Sequence, residues 1–275
     1  MNVTEPILRI VPLDAVLLHE QIEQDRANQL YARFQGDWFL KNPPIVSPFA
    51  NKYILLDGAT RCTALKRVGC RDVVVQIVDY DAPGLKLETW NHLLVDLPVS
   101  EFLQTLQRVP GLSLQATTEN HANALLVHRQ SLGTLLLADG RAFALQTGLA
   151  TLHDQVQLLN HIVAAYEGRG ELYRVTHANL TQLVIEYARW SALIVFPRYH
   201  PDEIRQLALN GNKLPTGITR HIIPGRAMRI NIPLDVLQSD DPIEKKNQWL
   251  AEWIALKRRE RHVRYYHEPV FLFDE

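Results

Sequence analysis

An apolar run that ends in Asp-Gly and passes without a spacer into a helical segment leaves a chain few ways to continue. Residues Tyr53 to Gly69, YILLDGATRCTALKRVG, are such a run. The apolar stretch stops at Asp57-Gly58, a pair suited to a tight turn. Ala64, Leu65 and Val68 then recur at helical spacing before Gly69. A strand, a turn and a short helix are predicted. Glycine at such a helix start leaves backbone N–H groups unpaired, and the helix dipole favours an anion beside them. The same turn also occurs as plain architecture, so its function depends on what the rest of the chain brings to it.

The chain of 275 residues is long enough for one large domain or two smaller ones, each with its own core. A net charge of -1 argues against a protein that works mainly by coating phosphate backbones. The two cysteines, Cys62 and Cys70, flank the short helix and build neither a disulfide framework nor a zinc site, which fits a reducing cytoplasm. No basic segment followed by an apolar run opens the chain, and no apolar stretch reaches bilayer length, so neither export nor membrane insertion is expected.

In order, Ile7 to Val11 reads as a strand, and the polar run from Glu20 to Gly36 as a helix with Ile22, Leu30, Tyr31 and Phe34 on one face. Ile45-Val46 is expected to pair with Tyr53 to Leu56. The run VVVQIV, Val73 to Val78, predicts a strand buried on both faces. Leu85 to Val95 reads as a further strand, and the text changes near Pro98, where the main boundary is placed. Beyond it we expect a helix over Val99 to Val109, a hairpin closed by Asp139-Gly140, and a helix over Leu149 to Tyr166. Strands at Glu171 to Thr176 and Ala192 to Phe196 flank Leu180 to Tyr187, which reads as helical or as extended, and a helix opens at Pro201. A last helix starts at Asp241-Pro242-Ile243-Glu244, a capping-box pattern, with Ile243, Trp249, Leu250, Trp253 and Ile254 on one face. A basic run, Lys257 to Arg264, and a short apolar tail, VFLF, follow. The basic run reads as the solvated end of that helix or as a nucleic-acid patch.

The chain has no GxxxxGK[ST], HExxH, GxSxG or GxGxxG signature. Three polar clusters stand out instead: His19-Glu20; Asp57-Gly58-Ala59-Thr60-Arg61; and Thr219-Arg220-His221, with Arg226 and Arg229 close behind. They combine one carboxylate suited to base work, one suited to a metal, and donors suited to a carboxylate or phosphate.

The pattern over residues 7 to 80, with LLHE at Leu17 to Glu20, PPIV at Pro43 to Val46 and LLDGATRCTALKRVG, resembles the ParB/sulfiredoxin superfamily. Within it the chain is most similar to the free L-serine kinases, which use ATP or ADP to make O-phospho-L-serine. The segment GITRHIIPGRAMRINIPL, Gly217 to Leu234, extends that likeness into the second half. The resemblance implies Glu20 as the base for the serine hydroxyl and Asp57 as a catalytic carboxylate and ligand of Mg2+. It implies that Gly58, Ala59, Thr60 and Arg61 cradle the nucleotide phosphates, and that Thr219, Arg220 and His221 grip the amino acid or product, with Trp90 as a wall. Ala59 and Thr60 depart from the histidine common at this turn in such kinases, so backbone contacts are expected to do more of the work. The Gly-Glu-Arg-Arg motif of partition proteins and the cysteine of sulfiredoxins are absent here.

The expected fold is thus α/β (α+β): a ParB/sulfiredoxin-like nucleotide-binding domain over residues 1–97 and a mixed α/β domain over 98–275 that contributes the substrate pocket. The competing reading is a ParB-like DNA-binding, partition or regulatory protein without kinase activity, and a ParB-like nuclease rests on fold analogy alone. DNA is the less favoured partner, and the sequence leaves the oligomeric state open.

Overall fold

The computed structural model describes residues 5–266 of the chain. A five-stranded mixed sheet is formed in the order Ile7–Pro12, Asp72–Ile77, Ile45–Phe49, Lys52–Asp57 and Val16–Leu17. Asp72–Ile77 lies between two partners, and Val73, Val74 and Val75 are fully buried, as its continuous β-branched run requires. Helices Gln24–Asp37 and Ala59–Arg67 pack on each other, and Phe34, Cys62 and Leu65 share a core with Val46, Leu55 and Val74.

A six-stranded antiparallel sheet follows, in the order Glu171–Val175, Asn91–Val95, Trp190–Val195, Gly133–Leu137, Ala142–Gln146 and Ser113–Thr117. Helices Val99–Gln107 and Leu152–Ala164 bury Phe102, Leu106, Val156 and Leu159 in the core this sheet shares with Leu94 and Leu135. The Asp139-Gly140 hairpin forms as expected, with Gly140 at φ 90°. The edge strand Ser113–Thr117 and the helix Glu119–Val127 carry too little apolar patterning to have been read from sequence.

Leu85 to Val95 is not one strand. It breaks at Trp90 into Lys86–Thr89, which pairs with Thr219–Ile222, and Asn91–Val95, which enters the six-stranded sheet. Trp90 N–H bonds the carbonyl of Ile218 at 2.8 Å, the next pair in register after Thr89 and Thr219, and beyond it the chain passes to the other sheet. The first helix begins at Gln24 rather than Glu20. Residues 19–21 are instead drawn to Leu214, which donates to the carbonyl of His19 (2.8 Å) and accepts from Gln21 N–H (2.7 Å).

The expected boundary between residues 97 and 98 falls between the strand Asn91–Val95 and the helix Val99–Gln107. Beyond residue 229 the chain returns to the first sheet, where Ile232, Leu234, Leu237 and Leu250 are buried in one core with Ile10 and Val74. The last helix, Ile243–Arg259, forms without its capping box, because the residue at its N-cap is Pro242 and Asp241 pairs with Lys245 at 2.8 Å. Of its five expected apolar positions Leu250 is buried, and the other four are partly buried against the same core.

That helix also carries two polar anchors. Lys246 is 2% exposed, with Nζ 2.6 Å from Asp72 Oδ2 and 2.7 Å from the carbonyl of Ser239. Asn247 accepts from Ile10 N–H at 2.9 Å and donates to its carbonyl at 2.8 Å, filling the open side of an edge strand. In the basic run, Lys257 lies over the Trp253 ring and Arg258 pairs with Glu5. The VFLF tail, 270–273, lies outside the described residues. Among the described residues no helix is long and apolar enough to cross a membrane.

Candidate active site

A cavity of about 830 Å³ opens where helix Gln24–Asp37, the start of helix Ala59–Arg67 and segment 216–228 meet. All ten candidate residues line it: Glu20, Asp57, Gly58, Ala59, Thr60, Arg61, Trp90, Thr219, Arg220 and His221. Seven arginine or lysine residues face four carboxylates in its lining, so its field favours an anionic ligand.

Glu20 is held by three donors from the other end of the chain. Its Oε1 accepts from Thr219 N–H and from Thr219 Oγ1–H, each at 2.6 Å, and its Oε2 accepts from Gly217 N–H at 3.1 Å. The single hydroxyl proton of Thr219 is therefore committed to the carboxylate. His19 Nε2, 2.9 Å from the same oxygen, must then be the donor in that contact. Burial lowers the His19 pKa, against the opposing pull of Glu20 and of the Leu55 backbone. The bridge of residues 19–21 to Leu214 places this carboxylate, because a helix begun at Glu20 would have turned it elsewhere.

At the second cluster, Gly58 is the N-cap of helix Ala59–Arg67 with φ 109°, a conformation that favours glycine. A Cβ there would lie 3.0 Å from Pro44 Cβ and 3.1 Å from Arg61 Cζ. The first helical bond runs from Cys62 N–H to the carbonyl of Gly58, so the N–H groups of Ala59, Thr60 and Arg61 have no intrahelical acceptor. Arg61 spends its donors on the turn itself: Nη1 on the carbonyls of Asn42 (3.0 Å) and Pro43 (2.8 Å), and Nη2 on Asp57 Oδ2 (2.9 Å). Arg226 Nη1 reaches the same oxygen at 2.6 Å. Burial pushes the Asp57 carboxyl up, but the two guanidinium groups outweigh it and hold the pKa below the usual range.

The strand Thr219–Ile222 carries the third cluster. Arg220 stacks over the Trp90 ring with Cζ 4.8 Å from the centroid and pairs with Glu88 at 3.0 Å. His221 is 7% exposed, and its Nε2 exchanges a 2.6 Å hydrogen bond with Tyr80 OH. Burial, with His19 nearby, pushes its pKa down to about 3, so the ring brings hydrogen-bonding capacity but no positive charge. Its edge meets His19 with centroids 5.6 Å apart.

Sequence reasoning noted Arg226 only as a neighbour and missed Tyr80, Asn42 and Arg174. Asn42 and Arg174 reach the cavity through tertiary pairing, and Tyr80 lies behind its wall, bonded to His221. Cys62 and Cys70 are free and buried, and burial raises both thiols to about 12, so they belong to the core rather than the chemistry.

Glu20, held by backbone and hydroxyl donors, and the N-terminus of helix Ala59–Arg67 line one cavity rich in guanidinium groups, an arrangement suited to an anionic ligand. No protein-family model matches the chain. The chain is 28% identical, over the full length of both proteins, to the ATP-dependent L-serine kinase SbnI of Staphylococcus aureus. It is 23% identical to the ADP-dependent L-serine kinase SerK of Thermococcus kodakarensis, over 82% of this chain and 91% of that protein. Among solved structures it resembles SbnI with a C-terminal truncation (TM-score 0.70, 26% identity, 91% of this chain and 97% of the other). It also resembles a free serine kinase in complex with AMP (TM-score 0.73, 18% identity, 85% and 95%). The expected mixed α/β architecture is the one these proteins share.

Proposed function

We propose that this chain is a phosphotransferase that moves the terminal phosphoryl group of ATP or ADP to the hydroxyl of free L-serine, giving O-phospho-L-serine. The observation that carries the reading is the placement of Glu20, fixed by Thr219 and Gly217, on the cavity that also receives the N-terminus of helix Ala59–Arg67. The likeness to serine kinases along the whole chain supports the choice of substrate.

Glu20 accepts the hydroxyl proton as the serine oxygen attacks phosphorus. The N–H groups of residues 59–61 receive the nucleotide phosphates, and Arg61 keeps the turn that presents them. Arg226 adds positive charge at the same end. Arg220 and Trp90 form the wall on the amino-acid side, with neutral His221 behind them. Catalysis then rests on in-line placement and charge neutralisation.

Among the described residues no cluster of three or more His, Cys, Asp or Glu is arranged to hold a metal ion, so a cage made by the protein alone does not fit. A magnesium ion held by one carboxylate and the nucleotide's own phosphates does fit, and Asp57 is the residue that would hold it. Such an ion would neutralise charge on the transferring phosphoryl group. Two free, buried cysteines accord with work in the cytoplasm.

The test is to mix the protein with L-serine, Mg2+ and either ATP or ADP and to look for O-phosphoserine by mass spectrometry. Product is expected with at least one nucleotide and a loss of roughly 100-fold or more in Glu20→Ala. No product with either nucleotide, or full activity in the variant, would sink the reading.

A further inference from the structure

We infer that Arg174, on the strand Glu171–Val175 of the six-stranded sheet, is the residue that recognises the carboxylate of the amino-acid substrate. The inference rests on the serine kinase reading above and assigns within it a contact that the sequence motifs leave open.

The donors in the Thr219-Arg220-His221 cluster are already engaged. Thr219 gives both its N–H and its hydroxyl proton to Glu20. Arg220 is paired with Glu88 and stacked on Trp90. His221 is neutral and bonded to Tyr80. At the other end of the cavity Arg61 and Arg226 converge on Asp57, where the nucleotide phosphates are placed. A zwitterionic substrate whose hydroxyl meets Glu20 still needs a cation for its carboxylate.

Arg174 meets that need. It lines the cavity, and its side chain is 28% exposed. Its guanidinium lies flat against Gly217, in the space a Cβ would occupy there, and Gly217 N–H is itself a donor to Glu20. Arg174 is thus one residue removed from the base. Among the described residues its one ion-pair contact is Glu23 at 3.5 Å, a long one, and its Nε is packed on Gly217 without an acceptor. The exposed part of the guanidinium is left for a planar carboxylate, which it would hold with charge-assisted N–H···O bonds. Glycine at 217 is what lets the guanidinium approach so closely: a side chain there would push Arg174 out of the cavity wall.

The test compares L-serine with L-serinamide, which keeps the hydroxyl and amine and lacks the carboxylate. In the wild-type enzyme L-serine should be strongly preferred, with serinamide followed as substrate or as competitive inhibitor. Arg174→Gln should raise the KM for L-serine roughly 10- to 100-fold, the range a charge-assisted pair supplies. Its KM for nucleotide and its affinity for serinamide should stay within about twofold, readouts that a general structural defect would also move. Arg174→Lys should recover part of the loss, because a point charge replaces the fork. An unchanged serine KM in Arg174→Gln, or equal losses for serine and serinamide, would overturn the assignment. Absence of O-phosphoserine from the wild type would instead overturn the kinase reading beneath it.

Discussion

Thr219 Oγ1 lies 2.6 Å from Glu20 Oε1, across 199 residues of sequence. The hydroxyl gives its proton to the carboxylate and takes one from His19, so it fixes both the direction of Glu20 and the tautomer of the histidine behind it. Replacing Thr219 by valine keeps the shape and the backbone N–H bond but removes this donor. We expect kcat to fall about 10-fold, the scale of one hydrogen bond to a charged group at about 1.5 kcal/mol, with the nucleotide KM unchanged. Thr219→Ser should recover most of the rate. Steady-state kinetics of the two variants check this, and equal loss in both would show that the hydroxyl alone does not account for the effect.

Gly58 holds the turn before helix Ala59–Arg67 at φ 109°, with Pro44 and Arg61 within contact distance of where a Cβ would stand. Gly58→Ala should destabilise the fold by about 1–3 kcal/mol through backbone strain. It should also weaken nucleotide binding, because the added methyl pushes Arg61 from Asp57 and from the carbonyls of Asn42 and Pro43. Thermal denaturation with and without nucleotide measures both effects. A variant as stable as the parent that binds nucleotide equally well would contradict the account of the turn.

Burial holds His221 at a pKa of about 3 and His92 at about 4, both below the 6.5 of an exposed ring. Below pH 6.5 the unfolded chain takes up protons at these rings that the folded chain refuses. Their contribution to stability is therefore complete above pH 6.5 and declines as the pH falls towards 4. Each ring adds at most about 1.4 kcal/mol per pH unit across that window. Asp57, depressed from its own usual value, has its effect only at lower pH. Urea denaturation at pH 7.0 and 5.5 should show a loss at the lower pH, and His221→Gln should shrink the difference. A pH-independent midpoint in the parent protein would refute the argument.

The parts of this fold that could be read from sequence are those where local and tertiary demands agree. Val73 to Val75 sit in an internal strand and look like one; Asp139-Gly140 closes a hairpin with no competing use. Leu85 to Val95 could not be read correctly, since nothing local announces that the chain changes partners after Trp90, from Thr219–Ile222 to the six-stranded sheet. The same holds at Glu20, where helical spacing lost to the pull of Leu214, and at Asp241, whose side chain went to Lys245 rather than to the helix start. The site divides along the same line. Glu20, Asp57, Thr219 and Arg226 sit in short motifs with a family likeness, whereas Arg174 and Tyr80 gain their meaning only from what lies opposite. Lys246 is the clearest case of the limit: one lysine among many in a charged helix, it is buried against Asp72 because the last helix docks on the first sheet.

The amide of Asn247 has a consequence beyond anchoring that helix. By answering both the N–H and the carbonyl of Ile10, it occupies two of the groups through which a further strand would pair with this edge. The C-terminal helix therefore also caps part of the sheet's open edge, and it does so through one side-chain amide.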